Sequence, residues 1–426
     1  MKEFTQINIG AGIDIVYAKT DKFKTNEIAV SLLTPLCEDT VSANALLFNL
    51  ISRTTKAYPT VNEFNRRLAA LYGAKVNCSV GKLGENQSLT IMMSSLADRF
   101  AIDGESIGAD CFDLIADMLF APNTDENGHF FESDIKREKK LLCEKLDAEY
   151  SEKRIYSLRK LEALMFEGEP YAINKYGTKD SINALDGKAL TSAYNTLLKS
   201  AKIQITVVGN VDIDYITARA AACFATVSRE YQPPVKAVFK PFPEMIKDER
   251  EAIDVEQGKL VIGYRVNCED NFAGRPDVRL FCDVFGGGPY SKLFTNVREK
   301  MSLCYYCSAR YDRRKSCVII QCGCEEENMN KAVDEINHQL ESVQNGDIEE
   351  EFTAAKMGVS DLIMSVRDDS VSLCMWYSSQ ITDAEILSPE ASAECNNSVT
   401  FDEIVSSAKL LKLDSVFRLV PSKEGE

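Results

Sequence analysis

The sequence predicts an α+β fold made of two tandem units, each a mostly antiparallel sheet with helices packed on one face. Three observations carry this. Runs rich in β-branched and apolar residues come grouped before helical periodicity, which favours antiparallel strands over a doubly wound sheet. The same order of elements occurs twice: Asn77-Cys78-Ser79 and Tyr306-Cys307-Ser308 lie 229 positions apart, as do Leu89-Thr90-Ile91 and Val318-Ile319-Ile320. Cys37-Glu38-Asp39 and Cys268-Glu269-Asp270 repeat at 231. Finally, residues 229–252 hold Pro233, Pro234, Pro241 and Pro243 among many charges, a composition that sustains neither helix nor central strand and reads as a linker extended along a surface. The expected organisation is therefore a unit over 1–228, a linker over 229–252 and a second unit over 253–426.

Along the first unit, Ile7 to Ala18 and Glu27 to Leu36 read as strands separated by the polar turn Thr20–Thr25. Helical text follows over about 42–53 and 61–72, where Phe64, Leu68 and Leu71 recur at three and four, with Gly73 as the C-cap. Ala74 to Lys82 and Gln87 to Ser94 form a hairpin around Leu83-Gly84-Glu85-Asn86. Helices are expected near 108–119, 131–150, 153–166, 187–198 and 212–224, with a strand at Ile203–Val208. Beyond the linker, a strand over Lys259 to Asn267 precedes helices at Pro276 to Phe285 and Tyr290 to Glu299, then a hairpin over 303–312 and 316–324.

Composition excludes several functions. The chain has 426 residues, 45% apolar and 9% aromatic, enough for a substantial core in each unit and unlike a disordered chain. Lys plus Arg number 49 against 65 Asp plus Glu, a net charge of −16, which repels phosphate backbones and anionic lipid. No nucleic-acid or membrane partner is expected. Only two histidines occur, His129 and His338, so no two-histidine metal motif fits within one helix, and both read as exposed and inert. The N-terminal residues carry no charged region followed by an apolar one, and no run approaches the ~20 apolar residues of a membrane span. A cytoplasmic, reducing setting is expected, with the fourteen cysteines mostly free.

Cys304, Cys307, Cys317, Cys322 and Cys324 crowd into 21 positions and invite a zinc or iron–sulfur reading. Against it, Leu303 to Ala309 and Cys317 to Cys324 read as strands, on which i and i+3 residues face opposite sides. Buried, small apolar thiols are the expectation. Gly286-Gly287-Gly288 lacks the Lys-Ser/Thr of a phosphate-binding loop. Trp376 reads as core or interface packing, and the acidic run 347–351 as a helix start.

Two motif contexts remain. Tyr58-Pro59-Thr60 is followed by Gly73-Ala74-Lys75-Val76-Asn77, and the glycine turn at 286–288 by Ser291-Lys292-Leu293-Phe294 and then Arg298-Glu299-Lys300-Met301-Ser302-Leu303-Cys304-Tyr305. With these the chain resembles, over nearly its whole length, the insulinase/pitrilysin zinc peptidases, close to their processing-peptidase branch. Members of that family carry H-x-x-E-H on the first helix. Two imidazoles hold zinc there, and the glutamate takes a proton from water. The resemblance places Ala45 and Asn49 at the histidine positions and Phe48 at the general base. None of the three can do that work. The family's third ligand, a glutamate of a later helix, resembles Glu138 or Glu144 as a remnant. No metal site is therefore expected in this chain.

The second motif is intact. In the family its arginine and tyrosine reach the substrate peptide, since an oxyanion and a peptide carbonyl both need fixed donors. The resemblance carries that role to Arg298 and Tyr305. It implies the non-zinc subunit of a bacterial two-chain peptidase, pairing with an insulinase-family subunit that bears H-x-x-E-H and supplies the zinc, and acting on peptides. The chain alone is expected to be inactive, with a homodimer in isolation left open. A non-catalytic scaffold of the same fold, and an unrelated cysteine chemistry, are the alternatives.

Overall fold

In a computed structural model, residues 4–240, 242–267 and 275–422 are described. The chain forms two compact units that are discontinuous in sequence: one comprises Met1–Asp147, Ile173–Lys236 and Ser365–Ser388, the other Ala148–Ala172, Ala237–Met364 and Pro389–Glu426.

In the first unit, strands β1 (Thr5–Gly10), β2 (Ile13–Ala18), β3 (Thr25–Pro35), β4 (Lys75–Leu83), β5 (Asn86–Leu96) and β6 (Lys202–Val208) make a sheet of order β1-β2-β6-β3-β5-β4. Its helices are α1 (Glu38–Ile51), α2 (Val61–Ala70), α3 (Ile107–Phe120) and α4 (Glu132–Ser151); after a segment holding α5 (Lys153–Met165), which packs in the other unit, come α6 (Lys179–Ala184), α7 (Gly187–Ser200) and α8 (Ile213–Ala225). Thr60 and Glu63 start α2 with a reciprocal capping box.

The second unit has β7 (Lys247–Ile253), β8 (Lys259–Val266), β9 (Tyr306–Asp312), β10 (Cys317–Gly323) and β11 (Leu411–Pro421) in the order β7-β11-β8-β10-β9. Helices α9 (Pro276–Gly286), α10 (Met329–Gln344) and α11 (Glu349–Ser365) follow in the chain, with a π-helix at Leu293–Lys300. Next comes α12 (Ser370–Ser378), which belongs to the first unit, and then α13 (Pro389–Ser398) and α14 (Phe401–Lys409).

Strand senses confirm the duplication. β2 pairs β6 in parallel while β6–β3, β3–β5 and β5–β4 are antiparallel. β7 pairs β11 in parallel while β11–β8, β8–β10 and β10–β9 are antiparallel. The α+β tandem reading stands, and β1 is an extra edge of the first sheet. The Cys268-Glu269-Asp270 counterpart lies outside the described residues.

The expectation of helices on one face needs correction. Ile28, Val30, Leu32, Ile203 and Ile205 pack with α1, α3, α7 and α8 in the main core of the first unit. Their neighbours Val16, Ala29 and Val208 pack instead against Leu373, Cys374 and Tyr377 of α12. In the second unit, Val261, Ile319, Phe417 and Leu419 pack against Leu161 and Met165 of α5. Successive strand residues point to opposite faces, so near-continuous apolar runs such as Ile28-Ala29-Val30 mark a sheet buried on both sides. Each unit thus draws one helix from the opposite half of the sequence. The expected contiguous boundaries at 228 and 253 differ from the observed units for that reason.

Two local expectations also change. Ile7–Ala18 is not one strand but a tight hairpin, turned at Gly12 (φ +71°), where an added Cβ would lie 2.2 Å from the Tyr231 ring. The linker carries neither helix nor strand through 240 and is pinned where Arg229 donates to the Leu198 carbonyl (2.6 Å) and Val235 pairs with Asn86 (2.9 Å), but its last residues form the edge strand β7. Inside the second unit, Arg265 bonds Asp414 (2.6 Å) and Glu169 (3.2 Å), while Lys315 bonds Glu169 (2.7 Å). All four are buried, and such a network tolerates the loss of no member.

Candidate functional site

Helix α1 begins after Cys37 with Glu38 and Asp39 in its first turn, where carboxylates complement the helix dipole. It then runs almost wholly buried from Val41 to Ile51. Its polar residues are matched internally: Asn44 donates to Gln87 (3.0 Å), which donates to the Val41 and Lys175 carbonyls (2.9 and 2.8 Å).

Ala45 and Phe48, at the expected ligand and base positions, are fully buried core residues. Asn49 is half-buried, and its Oδ1 accepts from the Lys145 ammonium at 3.3 Å. Nearby, burial pushes the Cys78 thiol up to about 12, while Lys145 and a hydrogen bond with Ser52 pull the other way. The residues do not fit a zinc ion. A methyl and a phenyl group offer no lone pair, the Asn49 oxygen is taken by a donor, and a lysine cation repels a dication.

The two candidate remnants differ. Glu138 is buried and lies between Arg53 (3.2 Å) and Arg137 (3.0 Å), an ion-pair acceptor rather than an open ligand. Glu144 is exposed and sits 3.9 Å from Lys140. It is not the residue that reaches α1. That residue is Lys145, one heptad after Glu138 and on the same helix face. The spacing from Glu138 was the signal that could have singled it out.

In the second unit, the glycine turn serves packing. A Cβ on Gly286 would lie 2.7 Å from the Ala309 backbone nitrogen, so glycine lets the end of α9 approach β9. Ser291 closes the turn by donating to the Gly288 carbonyl (2.6 Å). The π-helix then buries Leu293 and Val297 and leaves Arg298 exposed, its guanidinium 4.5 Å from the Phe294 ring centroid. Tyr305 is 65% exposed, anchored by its backbone N–H to the Gly323 carbonyl at 2.9 Å. Both substrate-binding candidates therefore present their polar groups outward from the same segment. Ala45, Phe48 and Asn49 belong to the first unit, Arg298 and Tyr305 to the second.

Between Arg298 and Tyr305 in sequence lies Cys304, and here the strand argument fails. β9 starts at Tyr306, preceded by a turn in which Ser302 has φ +51°, so Cys304 is free to fold over Cys307. Cys307 is the direct cross-strand partner of Cys322. The three sulfurs lie within 4.8 Å of one another. Hydrogen bonds from Cys307 and Cys322, with the Arg298 charge adding, hold the Cys304 thiol below the ordinary range. The other two are held above it, by hydrogen bonding to Cys304 and by burial.

Remaining expectations fall as follows. His129 and His338 are exposed. Trp376 is partly buried beside the α12 core and donates to the Leu387 carbonyl (2.8 Å). Glu349, Glu350 and Glu351 occupy the first turn of α11; Glu351, with Asp347, flanks the buried Lys292 (3.1 and 3.4 Å) at a polar cavity of about 610 Å³. Among the described residues no helix is long and apolar enough to cross a membrane.

Comparison with known proteins agrees with this geometry. Residues 184–359 match the family model described as Peptidase M16 inactive domain. Over 413 residues the chain is 29% identical to a Bacillus subtilis (strain 168) protein named "Probable inactive metalloprotease YmfF", with 96% of each covered. A crystal structure of a conserved protein from Enterococcus faecalis V583 superposes with a TM-score of 0.89 at 26% identity, covering both chains fully. The peptidase M16 inactive domain from Pseudomonas fluorescens shares the fold, with a TM-score of 0.80 at 16% identity over 99% of this chain and 98% of that one.

Proposed function

The chain is a homologue of the M16 (insulinase/pitrilysin) peptidases that carries the family's inactive domain, and from that premise we propose that it is the substrate-gripping subunit of a two-chain peptidase. The partner is an insulinase-family subunit bearing H-x-x-E-H, which supplies the zinc. The pair encloses a chamber that takes short or unfolded peptides and works in the cytoplasm. In this chain, the Arg298 guanidinium and the Tyr305 phenol donate hydrogen bonds to the peptide carbonyl and to the negative charge that develops on it. One contrast carries the reading: the α1 positions are apolar or occupied by Lys145, whereas Arg298 and Tyr305 stand exposed.

The test is reconstitution. The chain, the H-x-x-E-H protein and their equimolar mixture are each assayed on an unstructured fluorogenic peptide, with size-exclusion chromatography to follow association. Hydrolysis by the mixture alone supports the proposal. Association without any gain in hydrolysis points instead to a scaffold, and no association at all overturns it.

A further inference from the structure

We propose that Cys304, Cys307 and Cys322 form a three-thiolate site for a soft, thiophilic cation, zinc being the first choice. The inference rests on the second unit alone and stands apart from the two-chain reading. It departs from the expectation that this chain holds no metal of its own, since that expectation concerned α1 and treated these cysteines as isolated core thiols.

Geometry argues for it. Two of the sulfurs come from directly opposed residues of an antiparallel pair, a rigid support. The third comes from the turn that precedes β9, where the backbone can adjust. All three already lie within 4.8 Å of one another. Tetrahedral zinc at Zn–S of about 2.3 Å sets sulfurs roughly 3.8 Å apart, so closing the site takes movement on the order of 1 Å. Cys324, two residues past Cys322 and just beyond the end of β10, is fully buried.

Charge argues for it too. Three thiolates around a dication leave one net negative charge, and the Arg298 guanidinium acts on Cys304 from outside the cluster. Simple core packing does not require thiols: valine or alanine would fill the same ladder positions with no sulfur facing sulfur. A cation bound here would clamp the 301–305 turn to the β9–β10 ladder and so fix the segment that carries Tyr305.

Binding releases the thiol protons to solvent, with no change in oxidation state. The experiment uses the full chain, reduced with a phosphine, desalted without oxygen and titrated with Co²⁺. A thiolate-to-cobalt charge-transfer band that saturates at a single equivalent, with the visible bands of tetrahedral cobalt, is expected, and Zn²⁺ should displace it. Cys304→Ser lies in the turn and is expected to fold; it should weaken binding at least about tenfold. Cys395→Ser, at an exposed cysteine of the same unit, should bind as the parent does. Protection of three thiols from disulfide-reagent modification by Zn²⁺ in the unmutated chain gives a second readout. No charge-transfer band from the reduced protein, or a band of full strength in Cys304→Ser, overturns the proposal.

Discussion

Arg298→Ala separates a gripping role from a structural one because the arginine's structural contribution is small. Its side chain is exposed, and its ring contact is a stack on Phe294 at 4.5 Å. An exposed cation–π pair is worth about 0.5–1 kcal/mol, so thermal unfolding of the variant should differ from the parent by no more than that. The expected loss in chemistry is larger. Removing one donor to a developing oxyanion costs about 10²–10³ in kcat, or roughly 3–4 kcal/mol. In the reconstituted pair, steady-state hydrolysis of a fluorogenic peptide should show that loss mainly in kcat, with KM nearly unchanged. Tyr305→Phe should lose activity in the same direction, and Arg298→Lys should recover part of it by keeping the charge. An intact complex whose kcat is unchanged in Arg298→Ala would refute the reasoning, because the gripping role requires that loss.

Three further outcomes follow from the packing. Lys315→Met leaves the buried Glu169 with Arg265 as its remaining charge partner, and should destabilise the second unit by about 3–5 kcal/mol in denaturant titration; Lys22→Ala, from an exposed pair with Asp368, should cost about 0–1 kcal/mol. Glu27 is buried, receives hydrogen bonds from Ser94 and Ser370 (2.8 and 2.9 Å), and has its carboxyl raised chiefly by burial. The folded state therefore holds its proton more tightly, and that contribution, complete below the unfolded carboxylate pKa, is lost as pH rises through the folded value. The stability gained by Glu27→Gln should accordingly grow from mildly acidic toward neutral pH and then level off; a difference independent of pH would contradict this. Gly286→Ala drives a Cβ to 2.7 Å from the Ala309 backbone and should lower thermal stability by about 1–3 kcal/mol, whereas Gly81→Ala, with open space around it, should cost little.

Much of this was legible in the residues. Helices announced themselves by periodicity, as with Phe64, Leu68 and Leu71, and the duplication by a nearly fixed offset that the matched strand senses confirm. The exchange of α5 and α12 was not legible. Which sheet a helix covers depends on contacts between residues far apart in sequence, such as Gln204 donating to the Tyr377 carbonyl 173 positions on, and periodicity reports only that a face is apolar. At the candidate site, the missing imidazoles could be read directly, whereas for Lys145 the sequence offered only its seven-residue spacing from Glu138, since its hydrogen bond to Asn49 is a contact between distant segments. The cysteine cluster was hidden by a boundary of three residues: a strand starting at Leu303 separates Cys304 from Cys307, and one starting at Tyr306 brings them together.

The most direct measurement is the peptidase activity of the isolated chain, assayed with added Zn²⁺ and with a chelator, for the parent and for Cys304→Ser. No hydrolysis above buffer in any of these is expected, since Ala45, Phe48 and Asn49 offer neither ligands nor a base and any thiol-held cation lies elsewhere. Chelator-sensitive cleavage by the lone chain that survives in Cys304→Ser would contradict the account.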